Sequence, residues 1–327
     1  MNIPNDLGGD WRLNKFVEYQ HYAPAIDPLT YVEYAKRNLL DWDECVELAW
    51  FHSLTYCEIT AAFLLEKWDC DTDIKKFWYE HKNSLIFGSA RKYVKNMDWF
   101  IPLMERFLDE IEPRPYSWLE EIAGQGTPEQ KYKSIEKYLG KWKYMGRFSI
   151  DLFTEALIAM GNAGLIPLKI ENAGYDWSKT SNLTSGMLNI FYLDDKANQF
   201  DKGELKLYPA DYDYLDRCLY VVLDKVKEVY PKQEVDDVSV VNKICSFRNL
   251  FKKARYGGFH HDRQLGNLLE YQKSYPGYPL WEKMFIIREY LFPPHMLGEY
   301  NGWKGIRTKR KKLWVEEGLT GVERDAL

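Results

Sequence analysis

His260-His261-Asp262-Arg263 are the residues of this chain best suited to chemistry. A histidine that titrates near neutral pH can take or give a proton, and a neighbouring carboxylate can orient it. The four residues stand inside CSFRNLFKKARYGGFHHDRQLGNLL (Cys245–Leu269), where Arg248, Lys252, Lys253, Arg255 and Arg263 are set against one acid, Asp262. Arginine carries a planar fork that matches two phosphate oxygens at once. Gly257-Gly258, next to Tyr256, lets the backbone turn sharply and approach a ligand closely. The stretch therefore reads as a helix, a glycine turn and a second helix. The turn and the second helix's start face an anion, because a helix's first amides have no partner and its dipole favours negative charge there.

Leu265, Leu268 and Leu269 predict the buried stripe of that second helix. His261 and Asp262 lie one turn back along it, and His260 and Arg263 share a more open face with Asn267. Taken singly, each cation fits a solvated helix face, and Asp262 fits a helix start. The cluster as a whole points to an anion site.

The elements that must position this stretch are helical. Apolar residues recur at helical spacing over 29–68, 73–111, 128–162, 208–230, 238–251 and 280–291. Pro102 falls near the start of its segment, and Pro113 and Pro115 mark a break. Thr127-Pro128 with Gln130 reads as an N-cap, a first-turn proline and a helix start. His52 and His81 lie within helical segments and read as packed or surface histidines. Residues 165–200 are the least regular. Short strands are candidates at 165–170 and 188–193. Trp177 to Gly186 is rich in hydroxyls and reads equally as a solvated loop or as a loop presenting donors to a ligand. Strand–helix alternation is absent, so the expected fold is mainly α: a multi-helix globular fold with few short strands. The chain of 327 residues is expected to form one large unit, 1–327, with a split into 1–125 and 126–327 as the alternative.

Composition excludes several classes. The chain is 46% apolar with 24 Tyr, 16 Phe and 12 Trp, enough for a sizeable core and too apolar for disorder. Net charge is −5, yet 243–263 and 301–312 are basic, a local cationic face on a mildly acidic molecule. Residues 302–312 hold six basic residues and no acid. Arg307 and Lys309 there are candidate phosphate contacts, with Trp303 and Trp314 close by to stack on bases. A frayed basic tail explains the same composition. Five scattered cysteines without CxxC spacing argue against structural zinc and for a reducing cytoplasm, and no run is apolar enough to span a bilayer. GxxxxGK[ST], GxGxxG after a strand, HExxH, HxE…PCxxC and GxSxG are all absent.

FRN…ARYGGFHHDRQL (Phe247 to Leu265), LWEKMFIIREYLFP (Leu280 to Pro293) and GEYNGWKGIR (Gly298 to Arg307) resemble the alpha-glutamyl/putrescinyl thymine pyrophosphorylases, or amino acid:DNA transferases, of bacterial viruses. The resemblance extends to Arg147-Phe-Ser-Ile-Asp151 and Leu183-Thr-Ser-Gly186, making Arg147, Asp151, Thr184 and Ser185 secondary site candidates. It implies a helical, DNA-glycosylase-like architecture and double-stranded DNA bearing a modified thymine as substrate. It also implies displacement of pyrophosphate by a small amine or amino acid at the 5-methylene of pyrophosphorylated 5-hydroxymethyluracil. No cofactor is called for, and a divalent cation is compatible with the chemistry. A glycosylase-like enzyme and a non-catalytic nucleic-acid-binding protein remain the alternatives.

Overall fold

In a computed structural model, residues 11–22, 27–68, 72–88, 94–174, 177, 181–191, 193–229, 237–251 and 259–292 are described. In chain order the helices are α1 (Trp11–Tyr22), α2 (Asp27–Asn38), α3 (Trp42–Thr55), α4 (Glu58–Lys67), α5 (Ile74–His81), α6 (Met97–Arg106), α7 (Pro115–Ala123), α8 (Pro128–Leu139) and α9 (Arg147–Asn162). They continue with α10 (Ser181–Ile190), α11 (Asp194–Asp201), α12 (Pro209–Val229), α13 (Asp237–Phe251), α14 (Phe259–Ser274) and α15 (Leu280–Leu291). No strand occurs among the described residues, so the fold is all-helical there. The strand candidates at 165–170 and 188–193 are not strands. The first is irregular chain, and the second begins inside α10.

Local signals account for several helix starts. Asp41 caps α3 through a reciprocal box: the Glu44 amide donates to Asp41 Oδ1 at 2.9 Å, and the Asp41 amide donates to Glu44 Oε2 at 2.9 Å. The expected start of α8 forms the same way, with Gln130 Oε1 accepting from the Thr127 amide at 2.9 Å. Pro102 is the exception. It sits inside α6, where it withholds one helical donor, and α6 runs on into a π-helical turn over Phe107–Ile111.

The chain divides into two compact units. One comprises 1–26, 175–263 and 292–327; the other comprises 27–174 and 264–291. Residue 125 is not a boundary: α7 and α8, on either side of it, pack on each other within the second unit. The second unit is built around α3. From Cys45 to Thr55 every residue except Glu47 is buried, which fits a helix wrapped by α2, α4, α7 and α9. Trp50 meets Trp142 at 5.5 Å, Phe153 at 6.2 Å and Phe107 at 6.4 Å between ring centroids. His52 is 2% exposed beside the ring of Tyr31, and His81 meets the Tyr275 hydroxyl through Nδ1 at 2.9 Å. Both are packed histidines. Glu66 of α4 accepts from Tyr34 of α2 at 3.0 Å and from Lys283 of α15 at 3.0 Å, tying three helices at one carboxylate.

The first unit packs α1, α10, α12 and α13 around Phe16, Leu183, Met187, Val222, Ile244 and Phe247. Its tightest contact is between α10 and α13. A Cβ built on Gly186 would stand 2.2 Å from the Ile244 carbonyl oxygen, so only glycine lets the two backbones meet. The hydroxyl-rich phrase ending at Gly186 is thus largely helix. Leu183, Met187 and Ile190 supply its buried face, and that burial outweighs the turn-forming tendency of Ser, Thr and Asn.

Two predictions follow from this packing. Gly186→Ala forces backbone apart and should cost about 3 kcal/mol in urea unfolding; an unchanged midpoint would contradict the contact. Glu47 has its carboxyl pushed from 4.5 to about 8, first by burial and then by Glu112, Asp43, Glu44 and Asp41. The folded chain therefore keeps a proton that the unfolded chain has already lost between those values. Stability should fall as pH rises through that window, and Glu47→Gln should flatten the fall.

Candidate functional site

α13 ends at Phe251 and α14 begins at Phe259, the helix–gap–helix order expected from the sequence. His260, His261, Asp262 and Arg263 occupy the opening turn of α14, and their side chains lie outside the described residues. Lys252, Arg255, Tyr256, Gly257, Gly258, Arg307 and Lys309 lie outside them altogether. The stripe behind the opening is as expected: Leu265 is 0% and Leu268 is 7% exposed, and Leu269 is half-buried.

Arg248, in the last turn of α13, is engaged with protein partners. Its Nη2 donates to Asp201 Oδ1 at 2.5 Å and its Nε to Asp201 Oδ2 at 3.2 Å, a two-pronged pair with little solvent access. Its Nη1 reaches the side-chain oxygen of Asn182. Ser185 Oγ donates to the same Asp201 carboxylate at 2.6 Å. Thr184, one residue earlier, donates to the Trp177 carbonyl at 2.6 Å. Both hydroxyl residues are 0% exposed. Both hydroxyls are therefore engaged with protein acceptors and help hold α10 in place. Arg248 acts here as a clamp between α10, the end of α11 and α13, with its charge balanced by Asp201.

This cluster joins two stretches of the resemblance, Leu183–Gly186 and the segment beginning at Phe247, which are about sixty residues apart in sequence. Asp201 and Asn182 were not legible as members. Asp201 closes a short helix of ordinary composition, and its cation lies 47 positions away, so no local pattern marks the pair.

Arg147 and Asp151 belong to the second unit, in the first two turns of α9. Arg147 Nε stands 3.7 Å from Asp151 Oδ2, and the Tyr132 hydroxyl donates to Asp151 Oδ1 at 3.3 Å. Burial raises the Asp151 carboxyl to about 6, opposed by Arg147 and by the Tyr132 bond and helped by Glu136. The carboxylate keeps an edge in solvent, with 39% of its side chain exposed, so it can exchange protons near neutral pH. Among the described residues, no group of three or more His, Cys, Asp or Glu side chains could hold a metal ion. No helix there is long and apolar enough to cross a membrane.

No family model, no curated protein and no solved structure matches this chain. The functional reading therefore rests on its own residues and geometry.

Removing Asp201 would leave the Arg248 guanidinium largely buried, with Asn182 as its remaining hydrogen-bond partner among the described residues. Asp201→Ala should cost about 3 kcal/mol. The Asp201→Leu/Arg248→Met pair should recover much of that loss, because both charges leave together. Unfolding in urea measures both, and strictly additive losses would rule out the clamp.

Proposed function

We propose that the chain is a DNA-modifying transferase. In this reading it moves a small amine or amino acid onto the 5-methylene carbon of pyrophosphorylated 5-hydroxymethyluracil in double-stranded DNA and releases pyrophosphate. The observation that carries the reading is that α14 opens at Phe259, so His260–Arg263 form its first turn immediately after the basic, glycine-containing segment 252–258.

The chemistry asks for what that segment offers. The amine nitrogen attacks the methylene carbon as the carbon–oxygen bond to pyrophosphate breaks. One proton leaves the new C–N centre, and the electron pair of the broken bond departs with the pyrophosphate. Negative charge grows on the leaving group, where Arg255, Arg263 and the amides at Gly257-Gly258 and the helix start would stabilise it. His261, His260 or Asp262 takes the proton. A thymine derivative inside a duplex must leave the stack to react, and aromatic residues such as Tyr256 suit a flipped ring. Arg307 and Lys309 track the phosphate backbone. Arg248 serves by fixing the end of α13. A host-cell cytoplasmic setting goes with this reading.

The test is incubation of the purified protein with DNA bearing the pyrophosphorylated base and a panel of amino acids and polyamines. Pyrophosphate should appear only when an amine is present. His261→Ala and Arg263→Ala should each lower the rate by about 100-fold or more at unchanged thermal stability. Full activity in both variants would overturn the assignment of these residues. Release of free base would favour a glycosylase, and binding without any reaction would favour a non-catalytic DNA-binding protein.

A further inference from the structure

The end of α2 and the outer face of α15 form a surface of the second unit that the described residues leave uncovered. On α15, Glu282, Ile286, Glu289 and Tyr290 fall at helical spacing and are all exposed, Ile286 at 51% and Tyr290 at 66%. The opposite face, Leu280, Met284, Ile287 and Arg288, is buried. The Arg37 guanidinium lies 5.2 Å from the centre of the Tyr290 ring, which sets the last turn of α2 beside the last turn of α15.

Leu39 belongs to the same edge, two residues past Arg37. α2 closes in a Schellman turn: the Leu39 amide donates to the Lys36 carbonyl at 3.4 Å, and the Leu40 amide donates to the Ala35 carbonyl at 3.1 Å. The turn needs a left-handed residue, and Leu39 takes that conformation, with φ 54°. Glycine fills such a position freely, whereas leucine does so at a steric cost. Burial within the chain does not offset that cost, because Leu39 is 88% exposed. Three large apolar side chains, Leu39, Ile286 and Tyr290, thus stand in water along one edge.

The charges around them carry both signs. Lys36 and Arg37 are exposed at the end of α2, and Glu282 and Glu289 are exposed on α15. Arg37 is bonded to Glu33 at 2.7 Å, whereas Lys36, Glu282 and Glu289 have no ion pair among the described residues. The two glutamates oppose a polyanion. A surface whose cations and acids lie at equal distances on either side of an apolar centre is complementary to itself after half a rotation, as a closed pair of identical subunits requires. The spacing fits that condition. Glu282 and Tyr290 each stand four residues from Ile286, about 6 Å along the helix. With a two-fold axis at Ile286, two α15 helices run antiparallel, and the Tyr290–Arg37 corner of each copy meets Glu282 of the other. Glu289 then falls opposite Lys283 of the other copy, each three residues from Ile286.

We propose that this face joins two copies of the chain in a dimer with two-fold symmetry. The dimer does not depend on the transferase reading.

Sedimentation equilibrium of the purified full chain over a concentration series tests it. The wild-type chain should approach twice its own mass at the upper end and dissociate on dilution. Ile286→Asp should raise the dissociation constant by about 30-fold or more. Arg37→Glu and Glu282→Arg, each alone, set like charges against each other across the axis and should shift the chain to single copies. Mixed in equal amounts, the two variants should recover the double mass, because both contacts of the mixed pair then join opposite charges. That recovery also shows that both variants are folded. Tyr208→Asp/Tyr220→Asp removes exposed rings of the first unit and should leave the dimer intact. A single-chain mass for the wild type at every concentration, an undiminished dimer in Ile286→Asp, an equal loss in the control pair, or no recovery on mixing would each overturn the proposal.

Discussion

The near contact of α10 and α13 is the constraint on which the candidate site depends. Gly186 brings the two backbones together, and the Asp201 carboxylate then takes Arg248 from α13 and Ser185 from α10. A pair of charges with little solvent access is favourable only when its geometry is good and its remaining lone pairs are used, and here a serine and an asparagine complete the set. Because the clamp holds the last turn of α13, it fixes the point from which the chain departs toward α14. The catalytic candidates begin nine residues after Phe251, so their reach is limited by where α13 ends.

The second unit supplies a different kind of support. Its central helix is buried nearly all round, and the rings about Trp50 fill the space between α3, α9 and the π-helical turn. Such a core sets α8 and α9 firmly on either side of their connecting turn. Rings and exposed cations alternate in Lys141-Trp142-Lys143-Tyr144, where Trp142 is buried, Tyr144 is half-buried and both lysines stay in water.

Much of the fold was legible in the sequence because it was written locally. Thr127-Pro128 with Gln130 announced α8, and the apolar spacing of Leu215, Leu219, Val222, Leu223 and Val226 gave α12, whereas Pro115, read as a break, stands at the first position of α7. The helix at 181–190 was missed because Ser181, Asn182, Thr184, Ser185 and Gly186 are each weak helix formers. Burial of Leu183, Met187 and Ile190 decides the outcome, and burial depends on a partner helix distant in sequence. The site was legible as a cluster of charge and not as a set of roles. Arg248 looked like its cationic neighbours, yet its partner Asp201 could be found only in three dimensions. Asp151 drew notice through the resemblance, while the burial that makes it titrate near neutral pH comes from α8 packing on α9.

The central claim is that a carbon–nitrogen bond forms on a base within DNA. The most direct measurement uses a nitrogen-15-labelled amine, DNA carrying the pyrophosphorylated base, and mass spectrometry of the nucleosides after complete digestion. The account predicts a thymidine derivative that retains the label on its 5-methylene carbon. An unlabelled 5-hydroxymethyl nucleoside would mean that water, and not the amine, displaced pyrophosphate, and that result would contradict it.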